Sequence, residues 1–191
     1  MSIAKANILS FVNSSLNRKE TNIDVAIQMC LNDLSNASLL IGTDATQGLI
    51  DGSTYLSYPT GLKELISIVL NDSADRPPLL PMAYEEYLEN MAYPSKSEPE
   101  YYSEFNKRFY LWKPSGGVYT SLISFYKYHP QDVGTIEFGD EFTNAINYGS
   151  AAFFAMTKRL TDYLNIYMPM YQAEKVEREA NGHRRTYIVR D

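Results

Sequence analysis

Asp140–Leu160 reads DEFTNAINYGSAAFFAMTKRL. Within it Phe142, Ile146, Gly149, Phe153, Met156 and Leu160 recur at alternating steps of four and three residues, the spacing of one face of an α-helix. Asp140 and Glu141 fall in the first turn, where acids complement the helix dipole. The small residues Gly149-Ser150-Ala151-Ala152, with Ala155, leave room for a neighbouring helix to approach closely. This is the clearest periodic signal in the chain, and it makes the C-terminal part helical.

Outward from that segment, a second helix is predicted from about Ile166 to Ala180, with Asn165 as N-cap, Pro169 in the first turn and Gly182 as the residue just past its end. His183 to Asp191 reads as an exposed tail with a short extended element over Thr186–Val189. At the other end, Ile8, Phe11, Val12 and Leu16 mark a helix over Ile3–Leu16 with Ser2 as N-cap candidate. Ile23, Ile27, Cys30, Leu31 and Leu34 mark another over Ile23–Leu34, capped by Asn22, and the two form an αα-hairpin.

Between these helical ends the character changes. From Gly42 to Pro130 the chain is punctuated by Gly, Pro, Asn and Asp, and strands are predicted at Thr46–Ile50, Ser53–Tyr58, Glu64–Asn71, Tyr101–Asn106, Arg108–Trp112 and Val118–Tyr128. Asp51-Gly52 reads as a hairpin turn, and Gly116-Gly117 as a second one. Neither face of Val118–Tyr128 is purely polar, so that strand is expected to be central and covered on both sides. A short helix is placed at Tyr84–Met91. The fold class is therefore α+β: a helical bundle from the N- and C-terminal helices with an inserted antiparallel β module, a sandwich or a hairpin-rich sheet. The expected boundaries are 1–41 for the first helical hairpin, 42–135 for the β module, 136–182 for the C-terminal helices and 183–191 for the tail.

Composition excludes several classes. A formal net charge of −6 over 191 residues argues against a dedicated nucleic-acid binder, which needs a basic face for phosphates. A single cysteine rules out a disulfide framework within the chain. The N-terminus is broken by Lys5, Asn7, Ser10 and Asn13, unlike a signal peptide, and no stretch approaches the roughly 20 apolar residues of a membrane span, so the expectation is a cytoplasmic product with no membrane partner. Tyrosine, at 16 residues, favours strands and contact surfaces, because it offers a rigid face with a polar tip.

No set of acid, base and nucleophile emerges, so no catalytic, cofactor-binding or metal-ligating residue is assigned and no cofactor is expected. His129 and His183 are far apart, and with one cysteine the ligands of a structural zinc site are missing. Cys30 lies on an apolar stripe, a packing position. Glu85, Glu86 and Glu89 read as a solvated face, and Asp44, Asp51, Asp72 and Asp75 lack calcium-loop spacing. The tyrosines Tyr84, Tyr87, Tyr101, Tyr102, Tyr110, Tyr119, Tyr126 and Tyr128 either cover the sheet or form a contact surface with Trp112 as anchor. Arg184, Arg185 and Arg190, with Tyr187, Ile188 and Val189, make the end of an acidic chain basic and β-prone, either a frayed terminus or a docking segment.

The succession LNDLSNASLL, GSTYLSYPTGLKELISIVLND, PMAYEEYLENM, YYSEFNKRFYLWKPSGGVYTSLISFYKYHP, FGDEFTNAINYGSAAFFAMTKRL and YMPMYQAEKVERE resembles the head-to-tail adaptor proteins of tailed bacteriophages, also called head-completion or connector proteins. The resemblance spans nearly the whole chain as an order of patterns. It implies a structural virion protein of the neck, made in the host bacterial cytoplasm. It further implies a homo-oligomeric ring, commonly dodecameric, which binds the portal protein, extends the DNA channel without binding DNA specifically, and receives the next neck or tail protein. On that reading Arg184, Arg185, Tyr187, Ile188, Val189 and Arg190 form a portal-docking tail, and Trp112 and Tyr119 are candidate neighbour contacts. The rival readings are a carbohydrate- or peptide-binding module using the tyrosine-rich sheet, and a small hydrolase or transferase.

Overall fold

The computed structural model of the chain describes residues 3–71, 76–91 and 95–186, with side chains described as far as residue 181. Contacts divide the chain into two compact units, residues 1–40 with 128–191, and residues 41–127. The class is α+β.

The first unit holds α1 (Lys5–Ser15), α2 (Asp24–Asn36), a 3-10 turn (Asp140–Phe142), α4 (Thr143–Thr157) and α5 (Thr161–Thr186). α4 is the central helix, packed by α1, α2 and α5. Ala145, Ile146, Gly149, Ser150, Ala151, Ala152, Phe154 and Ala155 are all buried, so it is enclosed over most of its circumference. The predicted apolar face is therefore too narrow, and one member, Met156, is 41% exposed. The small residues do what their size suggests. A Cβ added to Gly149 would lie 2.4 Å from Cys30 Sγ and 2.9 Å from the Tyr171 ring, so α2 and α5 both press on α4 at a position that admits only hydrogen. α2 starts one residue later than predicted, with Ile23 rather than Asn22 at the N-cap position; Asn22 Oδ1 still accepts the Asp24 amide at 2.8 Å, two residues on.

α1, α2 and α4 end alike. In each, one residue turns to positive φ (Asn17 at 50°, Ser38 at 57°, Arg159 at 56°), and the next amide donates back five residues: Arg18 to Asn13 O, Leu39 to Leu34 O, Leu160 to Ala155 O. This is the Schellman ending, usually made with glycine. At Arg159 it reverses the chain at once, so α5 begins at Thr161, five residues before the predicted start. Pro169 therefore lies inside α5 rather than in its first turn, and helix continues through Gly182 to Thr186. His183 to Thr186 is helical backbone, which corrects the start of the predicted tail; of the extended element expected over Thr186–Val189 only Thr186 is described, and residues 187–191 lie outside the described residues.

The second unit is a β-sandwich. One sheet places β8 (Tyr119–Lys127) between β4 (Leu62–Asn71) on one edge and β1 (Ile41–Asp44) and β2 (Gly48–Leu49) on the other. The second has the order β3 (Tyr55–Ser57), β7 (Arg108–Trp112), β6 (Tyr101–Phe105), β5 (Leu80–Pro81). All ladders are antiparallel except β5–β6, which is parallel. Leu49, Ile68, Leu70, Ile123 and Phe125 of the first sheet share one core with Leu56, Phe109 and Leu111 of the second. β8 is central as predicted, with Ser121, Ile123 and Phe125 buried and the alternate residues from Leu122 to Tyr126 half-buried.

The glycine pairs play a different part from the hairpin turns expected of them. β2 pairs β8 whereas β3 pairs β7, so Asp51-Gly52 carries the chain from one sheet to the other, and Gly116-Gly117 does the same between β7 and β8. The two corners are stitched together: Gly52 N–H donates to Ser115 O (2.6 Å), Ser115 N–H to Ser53 O (2.8 Å), and Gly116 N–H to Ser97 O (2.8 Å). The hairpin joining β6 to β7 turns instead at Asn106-Lys107, whose φ values of 48° and 58° fit a type I′ turn. Gln47 adds a second link between sheets. Its backbone O accepts the amide and hydroxyl of Ser121, and its side-chain amide pairs with both backbone groups of Ser57.

Gly149→Ala is expected to lower stability by about 2 kcal/mol, overpacking exceeding the helix-propensity gain. Adding Cys30→Ala should recover part of that loss; urea unfolding of the double mutant cycle checks the coupling. Arg159→Gly should raise stability by about 0.5–1 kcal/mol, read in the same assay.

Candidate functional site

The residues that carry chemistry are dispersed and individually satisfied. His129 is 2% exposed; its Nδ1 lies 2.8 Å from Pro130 O, and its Nε2 takes the Glu137 amide at 3.2 Å. That pattern places the ring proton on Nδ1 and leaves neither nitrogen available to a substrate. His183 lies on the last turns of α5, and its side chain is outside the described residues. Glu85, Glu86 and Glu89 are exposed on α3 (Tyr84–Asn90). Asp44 organises a turn: it accepts the Thr46 amide (2.9 Å), the Thr46 hydroxyl (2.6 Å) and the Gln47 amide (2.8 Å), which together hold its carboxyl below the usual range. Among the described residues no group of three or more His, Cys, Asp or Glu is placed to hold a metal ion.

The densest polar cluster sits beside Gly149. Tyr171, fully buried on α5, donates its hydroxyl to Asp33 Oδ2 on α2, and Lys175 Nζ reaches the same oxygen at 2.8 Å. Cys30, one turn before Asp33, points its thiol at the carbonyls of Ala145 and Ile146 (3.8 and 3.9 Å). Burial pushes this thiol well above its ordinary value, and the charge of Asp33 adds to the shift. A thiol so disposed is a packing group, as its place on the apolar stripe implies. Burial likewise raises the Tyr171 phenol, reinforced by Cys30 and by the hydrogen bond to Asp33. The cluster bolts α5 to α2 and has no evident chemical task.

Surfaces remain. α5 turns Tyr163, Leu164, Tyr167, Met168 and Tyr171 toward the helical core. Its opposite side is also apolar: Ile166, Met170 and Val176 are 54%, 39% and 60% exposed, with Pro169 and Ala173 exposed between them. All four positions lie inside the helix predicted from Ile166, and the recurrence of apolar residues at 166, 170, 173 and 176 was the signal for a second stripe. Of the predicted tail, Arg184 and Arg185 lie on the helical end of α5, while Tyr187, Ile188, Val189 and Arg190 are outside the described residues.

The tyrosines serve mainly as cover for the second sheet. α3 lies against β6 by way of Tyr87, 6% exposed, and Tyr84, which stacks on Phe105 at 4.1 Å and stands 5.9 Å from Tyr110. Trp112 ends β7 opposite Tyr101, with the rings 5.7 Å apart. Tyr119 begins the central strand of the other sheet, packs against the sandwich core, and carries the Arg76 guanidinium 5.2 Å from its ring centre. The two predicted neighbour contacts thus lie on different sheets.

These features define a small two-unit α+β protein with an exposed apolar stripe on α5. Residues 5–186 match the SU10 adaptor protein family, and the chain belongs to it: it is a member of a family of bacteriophage head-to-tail adaptors. No curated protein matches the chain. Among the described residues no helix is long and apolar enough to cross a membrane.

Cys30 and Tyr171 keep their protons in the folded state beyond the ordinary values of 9.0 and 10.0 at which the unfolded chain releases them. Their contribution is therefore complete below about pH 9 and is lost as pH rises, by up to about 1.4 kcal/mol per pH unit for each group. Urea midpoints measured between about pH 8 and 11 should fall progressively, and Tyr171→Phe should flatten the decline above about pH 10.

Proposed function

We propose that the chain is a structural, non-enzymatic subunit of a homo-oligomeric ring, commonly dodecameric in such adaptors, that sits beneath the portal in the virion neck. There it extends the DNA channel and offers the next neck or tail protein a surface. The observation that carries this reading is the outer face of α5. A helix apolar on two sides is incompletely covered in a lone chain, and exposed apolar residues in a row mark a contact surface. Ile166, Met170 and Val176 form such a row on the helix that leads into the basic end of the chain. Subunits associate through this face, and the segment from Arg184 to Arg190 docks into the portal. The net charge of −6 suits a channel component that lets DNA pass without holding it.

Ile166→Glu with Val176→Glu should leave the isolated chain as stable as the parent, within about 0.5 kcal/mol, because both positions are exposed. The same pair should abolish ring particles seen by electron microscopy when the protein is mixed with purified portal. Deleting Thr186–Asp191 should abolish co-sedimentation with portal; retained binding would sink the docking role of the tail.

A further inference from the structure

On the outer face of the second sheet is a cleft of about 310 Å³ lined by Pro81, Met82, Glu86, Asn90, Tyr101 and Trp112. The cross-strand pair Tyr101–Trp112 forms its aromatic wall, the rings meeting at 57° rather than lying in one plane. α3 supplies Glu86 and Asn90 opposite. Lys113 Nζ stands 5.3 Å from the Trp112 ring centre. The lining combines two aromatic rings with a carboxylate, a phenol and a carboxamide, a set that favours a donor-rich cation.

We propose that this cleft binds an arginine side chain of a partner polypeptide. A planar guanidinium can lie over an exposed aromatic face and meet a carboxylate through paired N–H donors, which an ammonium does less well. Nucleic acid is disfavoured because Glu86 would oppose its phosphates. The inference is independent of the ring and tail assignments, since none of its residues belongs to the helical unit.

Trp112 is the sole tryptophan, so its indole N–H resonance reports on the cleft directly in the full-length protein. Titration with the blocked pentapeptide acetyl-Gly-Gly-Arg-Gly-Gly-amide should shift that resonance saturably in the millimolar range. The lysine counterpart should bind more weakly, and the glutamate peptide and N-acetylglucosamine should leave the resonance unmoved. Glu86→Gln, at an exposed position that folding tolerates, should weaken the arginine peptide roughly ten-fold. Tyr101→Leu should weaken it while preserving the fold, as shown by unchanged amide spectra elsewhere. A saturable sugar response without an arginine response, no arginine response at all, or equal binding by the Glu86→Gln variant would each overturn the proposal.

Discussion

The helical unit depends on the absence of a side chain at Gly149. There the thiol of Cys30 and the ring of Tyr171 approach α4 from two sides, closer than a methyl group would permit. That contact fixes the distance of α2 and α5 from the central helix, and it brings Asp33 within reach of both Tyr171 and Lys175. The hydrogen bond and ion pair then set the rotation of α5 about its axis. Rotation decides which residues face outward, so the row Ile166, Met170, Val176 is exposed because Tyr171 is bound inward. A contact in the core thereby determines the composition of the surface.

The β unit is held by a different logic. Its two sheets share an apolar core, but the chain crosses between them at Asp51-Gly52 and Gly116-Gly117, and these corners hydrogen-bond to each other rather than to water. Gln47 repeats the arrangement at a second point, its backbone on β8 and its side chain on β3. Such cross-links hold the sheets in register, and a fixed register gives Tyr101 and Trp112 a constant geometry on the outer face. A rigid platform of this kind loses little entropy on engaging a partner.

Legibility varied with how local the governing physics is. The α4 segment was readable because its small and apolar residues follow the helical period, and Cys30 and His129 because nothing around them in sequence belongs to a reactive site. The start of α5 was not: the residue that reverses the chain is Arg159, where glycine would have announced the turn. Without that signal Asn165 and Pro169 looked like a helix start. Gly42 misled in the opposite sense. It was read as punctuation, yet it lies in β1, where a Cβ would meet the Phe125 ring at 2.9 Å; the glycine serves packing. Likewise Gly52 and Gly116 look alike in a hairpin and in a crossover, since pairing partners that decide between them are distant in sequence.

Pro169 joins these strands of argument. In a helix interior proline removes one backbone hydrogen bond and crowds the carbonyl four residues earlier, a penalty of about 3 kcal/mol against alanine. The site lies on the exposed side of α5, so the released carbonyl of Asn165 can turn to solvent and the ring meets no core residue. Folding of the isolated chain gains nothing from this residue, since nothing packs on it from within. It stands between Ile166 and Met170, in the middle of the exposed row. A rigid apolar ring at that point, with its backbone donor removed, leaves the surface drier and flatter than alanine or a polar residue would. Those are properties a contact face uses and a solvated helix does not, so the least favourable residue of α5 supports the subunit contact proposed for its neighbours.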